Sequence, residues 1–586
     1  MPWPLIDRPS IQLGALKAYL ARHEPRVTVR CHHPYLGVAE TLGVELYRFI
    51  ASDLWLSETL YAGLLFPECA EGQRAVARRR LRKAPGDPDP AEVVESLHGH
   101  LERFVAQPHW EETRLVGFSV CFHQLFSTLA AARRLKRRWP HLAVVLGGSA
   151  CTGRVGRELL TRFPEVDFLV TGEGERSLLG LCRNLAGKTP DLPGGVMTRE
   201  GEGGGACEEI DDLAELPLPD YRDFFAELSE GLGARMPLKV VLPVEFSRGC
   251  AWRKCRFCNL NLQWRGCRSK SASQVAEEVM ELARRHLCLD FTFTDNLLPP
   301  AEAERFFAEI SRSGKDLRFF AEIRAGISLR RLKGFRAGGL ATVQAGIEAL
   351  SNSLLARMGK GTTVMDNVLL MRNALEAGVE LKGNLIVEFP GSTDQEAAET
   401  AAALDVLICF PPLDIATFFL GFGSPMAADP AAFGIRRTPP HRTAQRIMPR
   451  DLARCHPFLI LGHEGDRSAQ RARWREVRRK VAAWQRLYRG RKSTPFDPPP
   501  LSFRDGGDFL VIRQELPGGS VLHHRLRGRS REIYLALRQP LDLDRLLARF
   551  PGGTRESFVR FLEELTRKRL LFQDQGKWLA LAVPWW

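Results

Sequence analysis

A chain of 586 residues is longer than one hydrophobic core usually serves, which predicts roughly two or three domains. Its 44% hydrophobic and 26% charged residues exclude a disordered polymer. The formal charge of +14 comes from Arg residues scattered through every segment with acidic residues beside most of them, which argues against a dedicated nucleic-acid surface.

The opening MPWPLIDRPS has neither the basic start nor the apolar run of a secretory signal. The longest apolar stretch, from Val406 to Phe422, is broken by Pro411, Pro412 and Asp414 and cannot serve as a membrane span. The 13 Cys are odd in number and mostly isolated, unlike a secreted disulfide framework. A cytoplasmic chain with reduced thiols is expected. Its one tight group, Cys250, Cys255 and Cys258 with Cys267 trailing, suggests a metal or cluster site.

In chain order, an apolar strand over Leu115 to Val120 precedes a helix with a basic face over Ser127 to Arg138. A strand over Ala143 to Leu146, a Gly147-Gly148 turn, a helix from Arg154 to Phe163 and a strand over Asp167 to Val170 follow. This rhythm predicts an α/β, doubly wound, Rossmann-like domain over 1–195. Gly194 to Gly205 and then Pro217 and Pro219 mark 196–238 as a linker.

A second rhythm fills 239–430. Strands are predicted over Val240 to Phe246, Phe291 to Thr294, Phe319 to Ile323, Ala341 to Ala345, Leu381 to Val387 and Ile415 to Leu420. One intervening helix opens at Ser271 or Ser273; another opens at Thr362 or Thr363, with Asp366 as capping partner, and stops at Gly378. Such strands imply a partial or complete parallel β/α (TIM-like) barrel with its chemistry at the strand C-terminal ends. A helical, basic connecting region spans 431–500; its stripe of Trp474, Val477, Val481, Trp484 and Tyr488 reads as a core face. Pro495 to Pro500 marks a boundary, and 501–586 reads as a small α/β or winged-helix-like cap.

The most informative segment is VEFSRGCAWRKCRFCNL, Val244 to Leu260. Three thiolates at a barrel strand end can hold three irons of a cubane cluster and leave the fourth open to a substrate. A zinc site closed by Cys267 is the alternative that spacing leaves standing. The segment resembles radical SAM (S-adenosyl-L-methionine) enzymes, whose usual signature is Cys-x-x-x-Cys-x-x-Cys with an aromatic before the last Cys, the place Phe257 holds here. The first gap is instead four residues, Ala251 to Lys254. In this it is similar to a branch of cobalamin-binding radical SAM proteins associated with maturation of ribosomally made peptides (RiPPs), many regarded as C-methyltransferases. The likeness continues through Arg268-Ser269-Lys270-Ser271, Thr294-Asp295-Asn296, Glu322-Ile323-Arg324-Ala325, Gln344 to Glu348, Lys360-Gly361-Thr362-Thr363 and Asn384 to Gly391.

The resemblance implies a 4Fe-4S cluster on Cys250, Cys255 and Cys258, with SAM near Phe257, Asp295, Glu322, Arg324, Glu348 and Asn384. Physically, a carboxylate at a strand end can accept from ribose hydroxyls or an amine, and Arg324 can meet the methionine carboxylate. The bland alternative is that these side chains satisfy hydrogen bonds at the barrel rim. GFSVCFHQLFSTLAAARRLKRRWP, VVLGGSACTG and VDFLVTGEGERSL are similar to the cobalamin-binding half of the same branch. That likeness places Ser119, His123, Gln124, Gly147, Gly148, Ser149, Gly172 and Glu173 beside cobalamin; an ordinary flavodoxin-like domain is the competing reading. No Asp-x-His-x-x-Gly motif supplies an axial imidazole, so the cobalt is expected to lack that lower ligand unless His123 provides it.

The implied reaction is radical methylation of an unactivated carbon of a peptide or small-molecule substrate, fed by an external one-electron reductant. No catalytic side chain beyond the cofactor ligands is indicated. Non-methylating cobalamin radical SAM chemistry and a zinc-bearing nucleic-acid-binding protein are the alternatives.

Overall fold

The computed structural model describes residues 1–201, 205–262, 264–455, 457–491 and 497–585. Gly203 and Gly204 of the expected linker, and Pro495 and Phe496 at the expected boundary, lie outside the described residues.

Six helices come first, between Ile11 and Val105. The last five share one core with the α/β unit that follows, where Tyr47, Leu56, Leu97 and Leu101 meet Phe126, Leu129 and Leu146, while Tyr19 and Leu20 of the first pack with Leu179 and Ile210. Strands β1 (Leu115–Ser119), β2 (Ala143–Gly147) and β3 (Phe168–Val170) lie side by side and parallel, and β4 (Val196–Met197) closes the sheet antiparallel. Helices Leu125–Arg138 and Gly153–Arg162 carry the crossovers. The segment expected to be a linker also contributes β4 and the helix Arg222–Glu230, whose Phe224 and Leu228 are buried in the N-terminal core. Glycines and prolines announced a break, but apolar residues at helical spacing outweigh them.

The central unit is an open barrel of six parallel strands: β5 (Leu242–Val244), β6 (Asp290–Phe293), β7 (Arg318–Ile323), β8 (Leu340–Glu348), β9 (Glu380–Val387) and β10 (Asp414–Thr417). Ser271 caps the helix Ala272–His286, and Thr363 forms a capping box with Asp366 on the helix Val364–Ala377, which ends at Gly378 with φ +69. The last strand is shorter than expected. It stops at Thr417, and Leu420–Gly421 turns away to pair antiparallel with Ile460–Leu461.

Past the barrel, the apolar stripe of the helix Arg475–Gly490 is a core face: Trp484 Nε1 donates to Phe410 O at 2.9 Å, and Val477 and Val481 are buried. In the C-terminal unit, Leu501–Asp505, Phe509–Glu515 and Val521–Arg527 form antiparallel pairs. Helix Arg529–Ala536, strand Leu541–Asp542, helices Leu543–Arg549 and Arg555–Arg567 and strands Leu571–Asp574 and Lys577–Ala580 then follow in winged-helix order. This unit packs on the barrel helix Val364–Ala377, where Arg538 pairs with Glu376 at 2.6 Å, and its core is continuous with the barrel's. Among the described residues, no helix is long and apolar enough to cross a membrane.

Candidate functional site

After β5 the chain forms the short strand Ser247–Arg248, which pairs antiparallel with Arg268–Ser269, so the Cys-bearing loop is pinched at its base on the barrel rim. Position 249 must be glycine: φ is +86, and a Cβ there would lie 2.1 Å from Gly266 O. Asp295, 2% exposed just past β6, accepts from Phe246 N at 3.1 Å and from Ser247 Oγ. Burial pushes its carboxyl up to about 7. The carboxylate expected near SAM is thereby engaged in holding the loop's base.

The loop rests on the Lys360-Gly361-Thr362-Thr363 block. Trp252 Nε1 donates to Gly359 O at 2.9 Å, and the Arg324 guanidinium lies 3.7 Å from the Trp252 ring centroid. A Cβ on Gly361 would stand 2.1 Å from the Trp252 ring, which explains the glycine there.

Cys250, Cys255 and Cys258 are all free and half-buried, whereas Cys267 is exposed. Burial raises the Cys255 thiol, with the charges of Lys360 and Arg324 opposing it; the Cys258 thiol is also raised by burial and feels Cys255 and Cys250. Among the described residues, no three His, Cys, Asp or Glu side chains converge as a formed metal site would. The loop gathers the thiols into one neighbourhood without closing them on a point. Three free thiols flanked by two cations suit an anionic cluster.

Beside the loop, Lys360 Nζ reaches Glu348 Oε1 at 3.1 Å. Gly346 makes the room, since a Cβ there would fall 2.2 Å from Nζ. Glu348 itself has φ +60, a left-handed conformation at the tip of β8. Glu322, at the end of β7, is pushed up to about 7 by burial and then by Glu348, with Lys360 opposing. Burial lowers the Arg324 pKa while Cys255 and Cys250 raise it, tying this side chain electrostatically to the thiols. Asn384 on β9 is exposed, and Phe257 packs against the barrel core. Glu322, Arg324 and Glu348 thus gather at one rim beside the thiols.

The N-terminal candidates divide differently. Gln124 Oε1 accepts from Cys121 N at 3.0 Å and its Nε2 donates to Met1 O at 2.9 Å, so its amide is occupied within the protein. Gly148, at φ +101, is required by its own turn, because a Cβ would lie 2.7 Å from Val120 O. Gly172, at φ +81, leaves space for Cys207. The Glu173 carboxylate takes Arg248 at 3.1 Å, Arg268 at 2.5 Å and Ile210 N at 2.8 Å. With Arg248 also on Glu175 at 2.5 Å and Glu245 at 2.9 Å, this buried network joins the α/β unit to the base of the Cys loop. Nothing in the sequence marked Arg248 for that role.

Ser149 and His123 line a narrow cleft, with about 10 Å³ of free space, together with Glu58, Cys121 and, from beyond the barrel, Phe458 and Leu459. His123 has φ +70, and its Nδ1 lies 3.1 Å from Ser57 Oγ; burial lowers its pKa and favours the neutral ring. Glu58 accepts from Leu125 N at 3.0 Å and Phe126 N at 2.8 Å, and burial pushes it up to about 7. It lies in a helical segment without a chemical signature, so only the structure reveals it. Ser119 ends β1, half-buried, in register with Gly147. A wider cleft of about 450 Å³ opens past β3, lined by Arg154, Arg157, Thr171 and Gly195. Small residues and positive-φ turns at the strand ends leave backbone open to close approach, and the wider cleft adds two arginines, a lining that suits a bulky ligand with an anionic tail.

Residues 244–404, which hold the Cys loop and most of the barrel, match the Radical SAM superfamily. An uncharacterized methyltransferase of Pyrococcus horikoshii is 29% identical over 308 residues, covering 50% of this chain and 64% of its own. An anaerobic magnesium-protoporphyrin IX monomethyl ester cyclase of Cereibacter sphaeroides is 28% identical over 284 residues, covering 44% of each chain. The fold resembles that of two solved cobalamin-dependent or methyltransferase radical SAM proteins. OxsB, with aqua-cobalamin and SAM bound, gives a TM-score of 0.50 at 17% identity, over 73% of this chain and 53% of that one. TsrM of Kitasatospora setae, with tryptophan and a SAM analogue bound, gives 0.51 at 17%, over 66% and 80%. The N- and C-terminal units therefore flank a radical SAM core in an architecture already known. The chain spans under two thirds of the length of the curated relatives named here.

Proposed function

We propose that this protein is a cobalamin-dependent radical SAM enzyme that methylates an unactivated carbon of a ribosomal peptide precursor. The observation that carries this reading is the junction at the barrel rim, where the Cys loop leans through Trp252 on Arg324 beside Glu322, Glu348 and Lys360. When bound, a 4Fe-4S cluster on Cys250, Cys255 and Cys258 supplies the electron that splits SAM into methionine and a 5′-deoxyadenosyl radical, and cobalamin supplies the methyl group.

The chain's own residues bind and orient. Arg324 meets the methionine carboxylate, Glu348 accepts from the amine or ribose hydroxyls, and Glu322, whose pKa burial raises to about 7, can donate in its protonated form and accept in its charged form. Asn384, exposed on β9, offers a further amide that can donate and accept. Ser149 and His123 face the corrinoid from the smaller cleft, while Arg154 and Arg157 suit the phosphodiester of its tail. Phe458 and Leu459 shield the space between domains from water that would quench a radical. The C-terminal unit buttresses the barrel through their common core and offers a surface for a peptide. A cytoplasmic setting supplies the external one-electron reductant.

Likeness to a cyclase favours a second reading, in which the same machinery rearranges or oxidises its substrate. Anaerobic turnover with SAM, methylcobalamin, reductant and candidate precursor peptides decides between them. A product heavier by one CH2, with methyl label from SAM, supports methylation. Formation of 5′-deoxyadenosine with an unmethylated, altered product supports the alternative.

A further inference from the structure

Beyond the cofactor residues, the mouth of the barrel carries basic side chains that have no assigned use. The segment after the barrel doubles back on itself: Arg437 pairs with Glu464 and Pro440 with Leu461 as antiparallel bridges, next to the pairing of Leu420–Gly421 with Ile460–Leu461. This lip touches the Cys loop directly, through Asn259 Nδ2 donating to Phe422 O at 3.2 Å. It also touches the N-terminal unit, because Trp55 stacks on His441 with centroids 4.1 Å apart and meets Phe458, a wall of the interdomain cleft, at 5.5 Å.

His441, Arg442, His463 and Arg467 emerge from this lip. The His463 ring lies 5.4 Å from that of Phe418, the residue that follows β10, so it stands at the strand C-terminal ends. His441 Nδ1 accepts from Thr443 N at 3.2 Å, which leaves the ring proton on Nε2 as a donor. Burial, followed by the charge of Arg467, pushes both imidazoles down to about 4, so they are neutral N–H donors near pH 7. Burial and then the charges of Arg471 and Arg442 lower the Arg467 pKa. Among the described residues, neither Arg442 nor Arg467 has an ion-pair or hydrogen-bond partner. Glu388, whose charge reaches Arg467, already pairs with Arg478 at 2.6 Å and Arg471 at 3.8 Å. Two guanidinium groups without an ion-pair partner, one of them half-buried, beside two imidazole donors form an arrangement that an anion would complete.

We infer that His441, Arg442, His463 and Arg467 form the recognition site for an anionic group, a carboxylate or a phosphate, on the substrate. The inference rests on the barrel mouth being the active site. It adds that the substrate enters with its negative group against the lip, leaving its reacting carbon between the Cys loop and the N-terminal cleft.

The test uses the anaerobically purified holoenzyme at constant ionic strength, titrated with inorganic phosphate and separately with glutarate while thermal stability is followed. Saturable stabilisation by one probe identifies which anion the site takes. Replacing both guanidinium groups, Arg442→Gln with Arg467→Gln, is expected to weaken that binding by about 10-fold or more. Arg479→Gln, on an exposed side chain paired with Glu476 at 2.6 Å, serves as a control and should not weaken it. If the double variant loses iron, the exposed single change Arg442→Gln replaces it. Failure of both probes to saturate, or equal binding by the variants, would indicate an adventitious ion only and overturn the inference. A parallel loss of SAM affinity would also overturn it, by assigning these side chains to SAM. Uncoupled 5′-deoxyadenosine formation, measured on the same samples, reports separately on the radical SAM reading.

Discussion

The two candidate cofactor regions differ in how their polar residues are used. At the barrel rim, Glu348 and Lys360 act on Glu322 and, with Arg324, on the Cys255 thiol, and their hydrogen-bonding capacity is only partly consumed. In the N-terminal unit, the amide of Gln124 and the carboxylate of Glu173 are taken up by the protein itself, and the glycines answer to internal contacts. The first region keeps polar capacity to spare, whereas the second is shaped mostly by its own internal contacts. Substitutions should consequently act locally and sharply in the first, and sterically in the second.

The largest effect is expected from Cys255→Ala. It removes one of three thiols, so iron content and 5′-deoxyadenosine should fall to background while bound corrinoid is retained. Loss of both cofactors together would erase the distinction between the regions. The mirror experiment is Ser149→Phe, which fills the smaller cleft: corrinoid retention should fall while iron content and SAM cleavage persist. Ser149 suits this purpose better than Gly148, where any side chain would collide with Val120 before reaching a ligand.

Glu348→Gln comes next. It removes the charge opposite Lys360, and SAM binding measured by titration should weaken about 10-fold, in line with one charge-assisted hydrogen bond. Unchanged affinity would assign Glu348 to the rim alone.

The smallest effect concerns pH. Glu58 has its folded pKa raised by burial from about 4.5 to about 7, so the folded state binds the extra proton between those values. Stability from this group is present below about 4.5 and is lost as pH rises through about 7. The melting temperature should thus decline between these pH values, and Glu58→Gln should flatten that decline. An identical slope in the variant would mean that Glu58 ionises normally.

Much of this layout was legible in the sequence. All six barrel strands overlap their expected places, and Asp366 could be read as the capping partner of Thr362 or Thr363, of which the structure uses Thr363. The Cys loop and the Lys360 block could be read as motifs, but their contact through Trp252 and Arg324 joins residues distant in the chain. Asp295 and Glu173 illustrate the limit: each occupies a motif position, yet burial beside Ser247 or Arg248 turns it into a fastener. Such commitments depend on which partner arrives from another element, which local patterning does not encode. The turn of Leu420–Gly421 out of the barrel was hidden for the same reason, since its partner lies at Ile460–Leu461.

The most direct test of the central claim is anaerobic reconstitution with iron and sulfide, followed by SAM and a strong one-electron reductant. A brown protein with cluster absorbance that releases 5′-deoxyadenosine, and loses both in Cys255→Ala, is the predicted result. A colourless protein that binds stoichiometric zinc through Cys250, Cys255, Cys258 and Cys267 and leaves SAM intact would contradict it.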